Sequence, residues 1–210
     1  IPAPDINLEV GSGTQAEQTA AIMLGYERLL LGSPSQLCLV VGDVTSTMAC
    51  AITAQKLQIP VAHVEAGIRS GDWAMPEEIN RRVTDVITNY FFTTSEVANA
   101  NLRRAGVPDE RIFFVGNTMI DTLLSNLPRL QPPVFWDEKA LSADHYFVLT
   151  LHRPANVDQD GSFAQLLDTI GAATRGLPVI FPVHPRTAKT LRVLNDLPNN
   201  IYFVDPQPYL

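Results

Sequence analysis

The chain has 210 residues, with 15 Lys+Arg against 22 Asp+Glu, a formal net charge of −7 and a pI near 5.0. That balance argues against a protein that binds nucleic acid through bulk positive charge. Hydrophobic residues make up 46% and charged residues 18%, enough for a sizeable core, and no apolar run approaches the roughly 18 residues of a membrane span.

The opening Ile1-Pro2-Ala3-Pro4-Asp5 carries no initiator methionine and does not read as a secretory signal; the chain is expected to be a fragment. Leu37 to Val41 is an apolar run that ends at Gly42-Asp43, with Thr45-Ser46-Thr47 as a helix start before Met48 to Ile52. The same strand, turn and helix order returns at Ile59 to Val64, at Tyr90 to Thr94 with Ser95 as a helix cap, and at Arg111 to Val115 leading into Met119 to Leu124. Strands apolar on both faces and separated by helices predict a parallel sheet covered by helices, an α/β fold.

Residues 126–143, with Pro128, Pro132 and Pro133, break the rhythm and are expected to link two domains, 1–125 and 144–210. Beyond them come a strand at Tyr146 to Leu151, a helix at Ser162 to Thr174, a strand at Val179 to Val183, a short helix at Ala188 to Leu194 and a strand at Ile201 to Val204. Cys38 and Cys50 supply neither a disulfide framework nor a paired-thiol metal spacing, and are expected as buried thiols in a reducing compartment.

In an open parallel sheet, ligands bind beyond the carboxyl ends of the strands. The residues there are mostly acids and histidines: Asp43, Glu65, Glu77 and Glu78, then His152-Arg153 and His184-Pro185-Arg186. Each has a plainer reading. Asp43 could cap a helix. Glu77 and Glu78 follow Pro76 at a first helical turn, where the dipole favours acids, and Glu77 could pair with Arg81 four residues on. His63, inside an apolar strand, reads as a core histidine. Arg153 and Arg186 could be solvated loop cations, and the histidines are too scattered for a metal site.

The strings Gly42-Asp43-Val44-Thr45-Ser46-Thr47, His63-Val64-Glu65-Ala66-Gly67-Ile68-Arg69-Ser70, Pro76-Glu77-Glu78-Ile79-Asn80-Arg81-Arg82 and Gly116-Asn117-Thr118-Met119-Ile120-Asp121 resemble the non-hydrolysing UDP-N-acetylglucosamine 2-epimerase family. Leu151-His152-Arg153-Pro154-Ala155-Asn156-Val157-Asp158, Pro182-Val183-His184-Pro185 and Asp205-Pro206-Gln207 continue the resemblance in order. It implies two Rossmann-like domains facing across a cleft, similar to the glycosyltransferase-B architecture, both incomplete in this chain. It also implies that parts of the site lie outside the chain, which by itself is expected to be inactive.

The implied reaction interconverts UDP-N-acetylglucosamine and UDP-N-acetylmannosamine through elimination of UDP to a 2-acetamidoglucal and re-addition. Asp43, Glu65 and Glu77 match the family's acid/base positions and His152 an active-site histidine. Arg81 matches the arginine that accompanies Glu77, and Gln207 a position near the nucleotide base. No metal and no nicotinamide is implied; a cytoplasmic homodimer is. Where family members activated by a second substrate molecule carry an Arg-Gln pair, this chain has Ser12-Gly13, so the resemblance does not extend to that activation. A glycosyltransferase of the same architecture, or a nucleotide-sugar binding module without turnover, are the alternatives.

Overall fold

The structure is a computed structural model that describes residues 3–151, 162–192, 194 and 197–209. The chain divides into two compact units, Ile1–Ser125 and Asn126–Leu210. The first begins with α1 (Gln15–Gly32), whose start is fixed by a capping box: the Glu17 N–H donates to Thr14 Oγ1 and the Thr14 N–H donates to the Glu17 carboxylate. This helix was not anticipated from the sequence, although Thr14 and Glu17 stand at the capping-box spacing.

Then follow β1 (Cys38–Val41), α2 (Thr45–Lys56), β2 (Val61–Val64), α3 (Pro76–Ile87), β3 (Tyr90–Thr93), α4 (Glu96–Arg104), β4 (Ile112–Phe114) and α5 (Thr118–Asn126). The strands form one parallel sheet in the order β1-β2-β3-β4. Ala51 and Ala54 put methyl groups on the face of α2 that packs near β1 and α1, where Leu30, Cys38, Val40 and Val61 complete the core. Ser95 caps α4 as expected, accepting from the Ala98 N–H. The edge strands are the least covered: Leu39 and Val41 on β1 and Phe113 and Phe114 on β4 stay exposed, and on the inner strands Tyr90 at the start of β3 does as well.

The second unit holds α6 (Phe135–Glu138), β5 (Phe147–Val148), α7 (Ser162–Ala173), β6 (Val179–Pro182), α8 (Pro185–Leu191) and β7 (Ile201–Val204). Its sheet is parallel, in the order β5-β6-β7, over a core of Phe163, Leu167, Val179, Phe181 and Ile201. Segment 126–143 holds a 3₁₀ turn, Leu127–Arg129, as well as α6. Trp136 meets Tyr146 edge-on with ring centroids 5.3 Å apart, and the Lys139 ammonium lies 5.1 Å from the Tyr202 ring centroid.

In the first unit the register Val41↔Val64 brings the ends of β1 and β2 level, so Gly42-Asp43 and Glu65-Ala66 emerge side by side. The turn after β2 is tightly constrained. Glu65 sits in the left-handed region at φ 69°, and Gly67 follows at φ 79°. A Cβ on Gly67 would stand 2.5 Å from the Ala98 carbonyl oxygen and 2.9 Å from Leu102 Cγ, so only glycine lets α4 approach. Gly67→Ala is therefore expected to cost about 2–5 kcal/mol, from ~1–2 for the left-handed backbone and ~1–3 for overpacking. Gly106→Ala, at φ 86° with open space around it, should show only the smaller backbone cost; chemical denaturation of both variants checks the difference.

Candidate functional site

Helix α3 supplies the framework. Pro76 occupies its first turn with Glu77 and Glu78 behind it, where a missing N–H costs nothing and acids meet the positive end of the helix dipole. Its buried residues are Glu78, Asn80, Thr84 and Asp85, all polar, while Ile79 and Val86 are exposed.

Glu78 has no accessible surface. Its Oε2 accepts from the Ser70 N–H at 2.9 Å, the Ser70 hydroxyl at 3.1 Å and Arg81 Nη1 at 3.3 Å, and its Oε1 accepts from Arg82 Nε at 2.8 Å. Burial pushes this carboxyl up, but the hydrogen bonds from Ser70, Arg82 and Arg81 outweigh it and hold the group down at about 2. Arg82 in turn lies over the exposed Trp73 indole, 4.5 Å from the ring centroid.

Arg81 carries the anchoring on to Asp43. Its Nε donates to Asp43 Oδ2 at 2.9 Å and its Nη2 donates to the same oxygen, while the Asn80 amide donates to the Asp43 carbonyl at 2.9 Å. Asp43 is not a helix cap: α2 begins after Val44, which makes no side-chain capping bond. The pairing of Glu77 with Arg81 does not form either, because Arg81 reaches Asp43 and Glu78 instead. One oxygen of Asp43, Oδ1, accepts no hydrogen bond from a described residue.

Glu65 points back toward β1, with Oε2 3.6 Å from where a Gly42 Cβ would lie. The carboxylates of Glu65 and Glu77, both partly exposed, accept no hydrogen bond from a described residue. Asp43, Glu65, Glu77 and Arg81 thus belong to the carboxyl end of the first sheet. Gln207 is exposed just past β7 in the second unit, its amide donating to the Asp205 carbonyl at 2.6 Å. With Asp205, Phe135 and Phe203 it lines an open cavity of about 760 Å³. His152 and Arg153 lie outside the described residues. No three of His, Cys, Asp or Glu gather to hold a metal ion among the described residues, and no described helix is long and apolar enough to cross a membrane.

Sequence reasoning missed the anchoring role of Glu78 and the pairing of His63 with Asp85. The signal for Glu78 was its spacing to Arg81 and Arg82, three and four residues on, where helical side chains meet.

Parallel sheets with helices between the strands define an α/β protein, an architecture in which ligands in general bind beyond the carboxyl ends of the strands. A family model for UDP-N-acetylglucosamine 2-epimerases matches residues 1–210, and the chain belongs to that family. It is 40% identical over 221 residues to the UDP-N-acetylglucosamine 2-epimerase of Methanocaldococcus jannaschii, covering all of this chain and 60% of that protein. The crystal structure of M. jannaschii UDP-GlcNAc 2-epimerase in complex with UDP-GlcNAc and UDP superposes with a TM-score of 0.83 at 37% identity, covering 100% of this chain and 60% of that one. A UDP-2,3-diacetamido-2,3-dideoxy-D-glucuronate 2-epimerase of Pseudomonas aeruginosa is 34% identical, over all of this chain and 59% of its own length. The chain spans about 60% of the length of the curated relatives it matches.

Glu78→Gln is expected to cost about 3–5 kcal/mol, as does removal of one partner from a buried ion network. A carboxyl held below its unfolded value of 4.5 adds stability that is complete above that pH and is lost as pH falls through about 2. The stability gap between wild type and Glu78→Gln should therefore be constant from neutral pH to about 5.5 and narrow below about 4.5. Urea denaturation across that range checks it.

Proposed function

We propose that the full-length gene product interconverts UDP-N-acetylglucosamine and UDP-N-acetylmannosamine. The observation that carries this reading is the set of carboxylates Asp43, Glu65 and Glu77 at the carboxyl end of the first sheet, in a chain of this family. The relative described with UDP-GlcNAc and UDP supports a UDP-sugar as the substrate.

No carbonyl adjoins C2 of the sugar, so direct exchange of its proton faces a high barrier. In the proposed route the C1–O bond to UDP breaks and a carboxylate takes the C2 proton, which leaves a 2-acetamidoglucal and free UDP. A carboxylic acid then returns a proton to C2 on the opposite face as a UDP oxygen attacks C1. Atoms and charge balance, and no cofactor enters.

Positive character builds on the ring as the anomeric bond breaks, which calls for carboxylates nearby. Transfer on two faces calls for more than one acid/base group, which fits three acids of different surroundings. Glu65 and Glu77 are free of hydrogen-bond donors among the described residues, and Asp43 keeps one oxygen open while Arg81 fixes its orientation. In this reading Arg81 acts on the site through Asp43, His152 stabilises the leaving diphosphate and Gln207 lies near the base. The whole protein is proposed to work as a cytoplasmic homodimer.

The test is proton NMR of UDP-N-acetylglucosamine in deuterium oxide with the full-length gene product. Loss of the C2 proton signal together with appearance of the mannosamine epimer is expected; a C2 proton that persists overturns the reading. Glu65→Gln should slow the deuterium exchange by about 10²- to 10⁴-fold while UDP binding is kept, and unimpaired exchange would remove Glu65 from the chemistry. The 34% identity to the diacetamido-glucuronate epimerase makes that sugar nucleotide the competing substrate, and the same assay run on it separates the two.

A further inference from the structure

A second buried cluster lies beneath the carboxylates, and the chemistry above does not use it. His63 on β2 is fully buried. Its Nε2 lies 2.9 Å from the Gly42 carbonyl oxygen and its Nδ1 2.8 Å from Asp85 Oδ1. A carbonyl oxygen can only accept, so Nε2 carries a proton. Asp85 Oδ2 lies 2.6 Å from Arg69 Nη1 and accepts from the Gly67 N–H at 3.1 Å. A carboxyl group so engaged is ionised, and its Oδ1 is an acceptor as well. Both ring nitrogens therefore face acceptors, and both must donate.

The cluster joins the two turns that carry acids. Gly42 precedes Asp43, and Gly67 closes the left-handed turn that begins at Glu65. The Gly42 N–H donates to the Val64 carbonyl at 3.0 Å, and the Asn101 amide donates to the Gly67 carbonyl at 2.8 Å. The charged group that faces His63 from α3 is Asp85, and behind it stands Arg69 on the β2–α3 loop; from the β1 side His63 meets a neutral carbonyl.

We propose that the buried His63–Asp85 pair, with His63 protonated on both ring nitrogens, holds the Gly42–Asp43 and Glu65–Gly67 turns together and makes the two residues positioning residues for Asp43 and Glu65. Neither touches the sugar nucleotide. Asp85 fixes the second turn through the Gly67 N–H, and His63 fixes the first through the Gly42 carbonyl. The catalytic consequence rests on the function proposed above, whereas the protonation of the ring is a property of the fold and is read without turnover.

The first measurement is a ¹H–¹⁵N spectrum of the histidine rings in the full-length gene product, with His63 assigned by the loss of its signals in His63→Gln. Both His63 nitrogens are expected to carry a proton, one donated to the Gly42 carbonyl and one to Asp85. One protonated and one bare nitrogen would overturn the pairing. The second measurement is kinetic: Asp85→Asn is expected to lower kcat at least about tenfold while KM moves less than about threefold. A loss confined to KM, or an unchanged kcat, would overturn the positioning role. If Asp85→Asn does not fold, His63→Gln is read in its place, because glutamine can still donate to the Gly42 carbonyl but cannot also donate to Asp85. A wild type that turns over no UDP-sugar would defeat the functional reading, and the ring spectrum would then decide the pair by itself.

Discussion

The acid-bearing end of the first unit depends on the ionised, fully buried carboxylate of Glu78. It draws four donors from three residues, and through them it fixes three things at once: the loop at Ser70, the guanidinium of Arg82 and that of Arg81. Arg81 then sets Asp43 at the end of a neighbouring strand. Taking a carboxylate out of water is expensive, and the cost is offset only when its lone pairs are satisfied and a cation stands close, as they are here. Arrangements of this kind are stiff, because losing any one donor leaves charge stranded in the interior.

Stiffness is what a site with several acids requires. Carboxylates held near one another repel, and left free they would turn to solvent or to the nearest cation. Arg81 meets this for Asp43 by compensating its charge on one oxygen and leaving the other open. For Glu65 it is met by the backbone: a left-handed turn followed by a glycine that α4 presses against directs the side chain back toward Gly42. Glu77, next to Glu78 in sequence, points a different way on the helix and stays partly exposed. Two adjacent glutamates thus have opposite fates, one buried as framework and one partly exposed to solvent.

Much of this was legible in the sequence where the physics is local. The apolar run before Gly42-Asp43 and the repeated strand, turn and helix rhythm gave parallel strands near Cys38, Val61, Tyr90 and Ile112, and Ser95 announced the start of α4. What the sequence hid is the inverted face of α3. Hydrophobic periodicity would bury Ile79 and Val86, yet the fold buries Glu78, Asn80, Thr84 and Asp85: tertiary partners on the neighbouring loop and strands satisfy Glu78, Asn80 and Asp85, while the Thr84 hydroxyl has no hydrogen-bond partner among the described residues. That choice depends on contacts with residues such as Ser70 and His63, which no local pattern encodes. For the same reason a helix cap stayed open as the plainer reading of Asp43: its partner Arg81 lies 38 positions away.

The central claim, that Asp43, Glu65 and Glu77 surround the reacting carbon of a UDP-sugar, is tested most directly by a crystal structure of the full-length gene product with UDP-N-acetylglucosamine bound. The account predicts carboxylate oxygens from at least two of these residues within about 3.5 Å of C2 or of its hydrogen, on opposite faces of the sugar ring. A sugar bound with C2 beyond reach of all three, or with the acids gathered on one face, would contradict it.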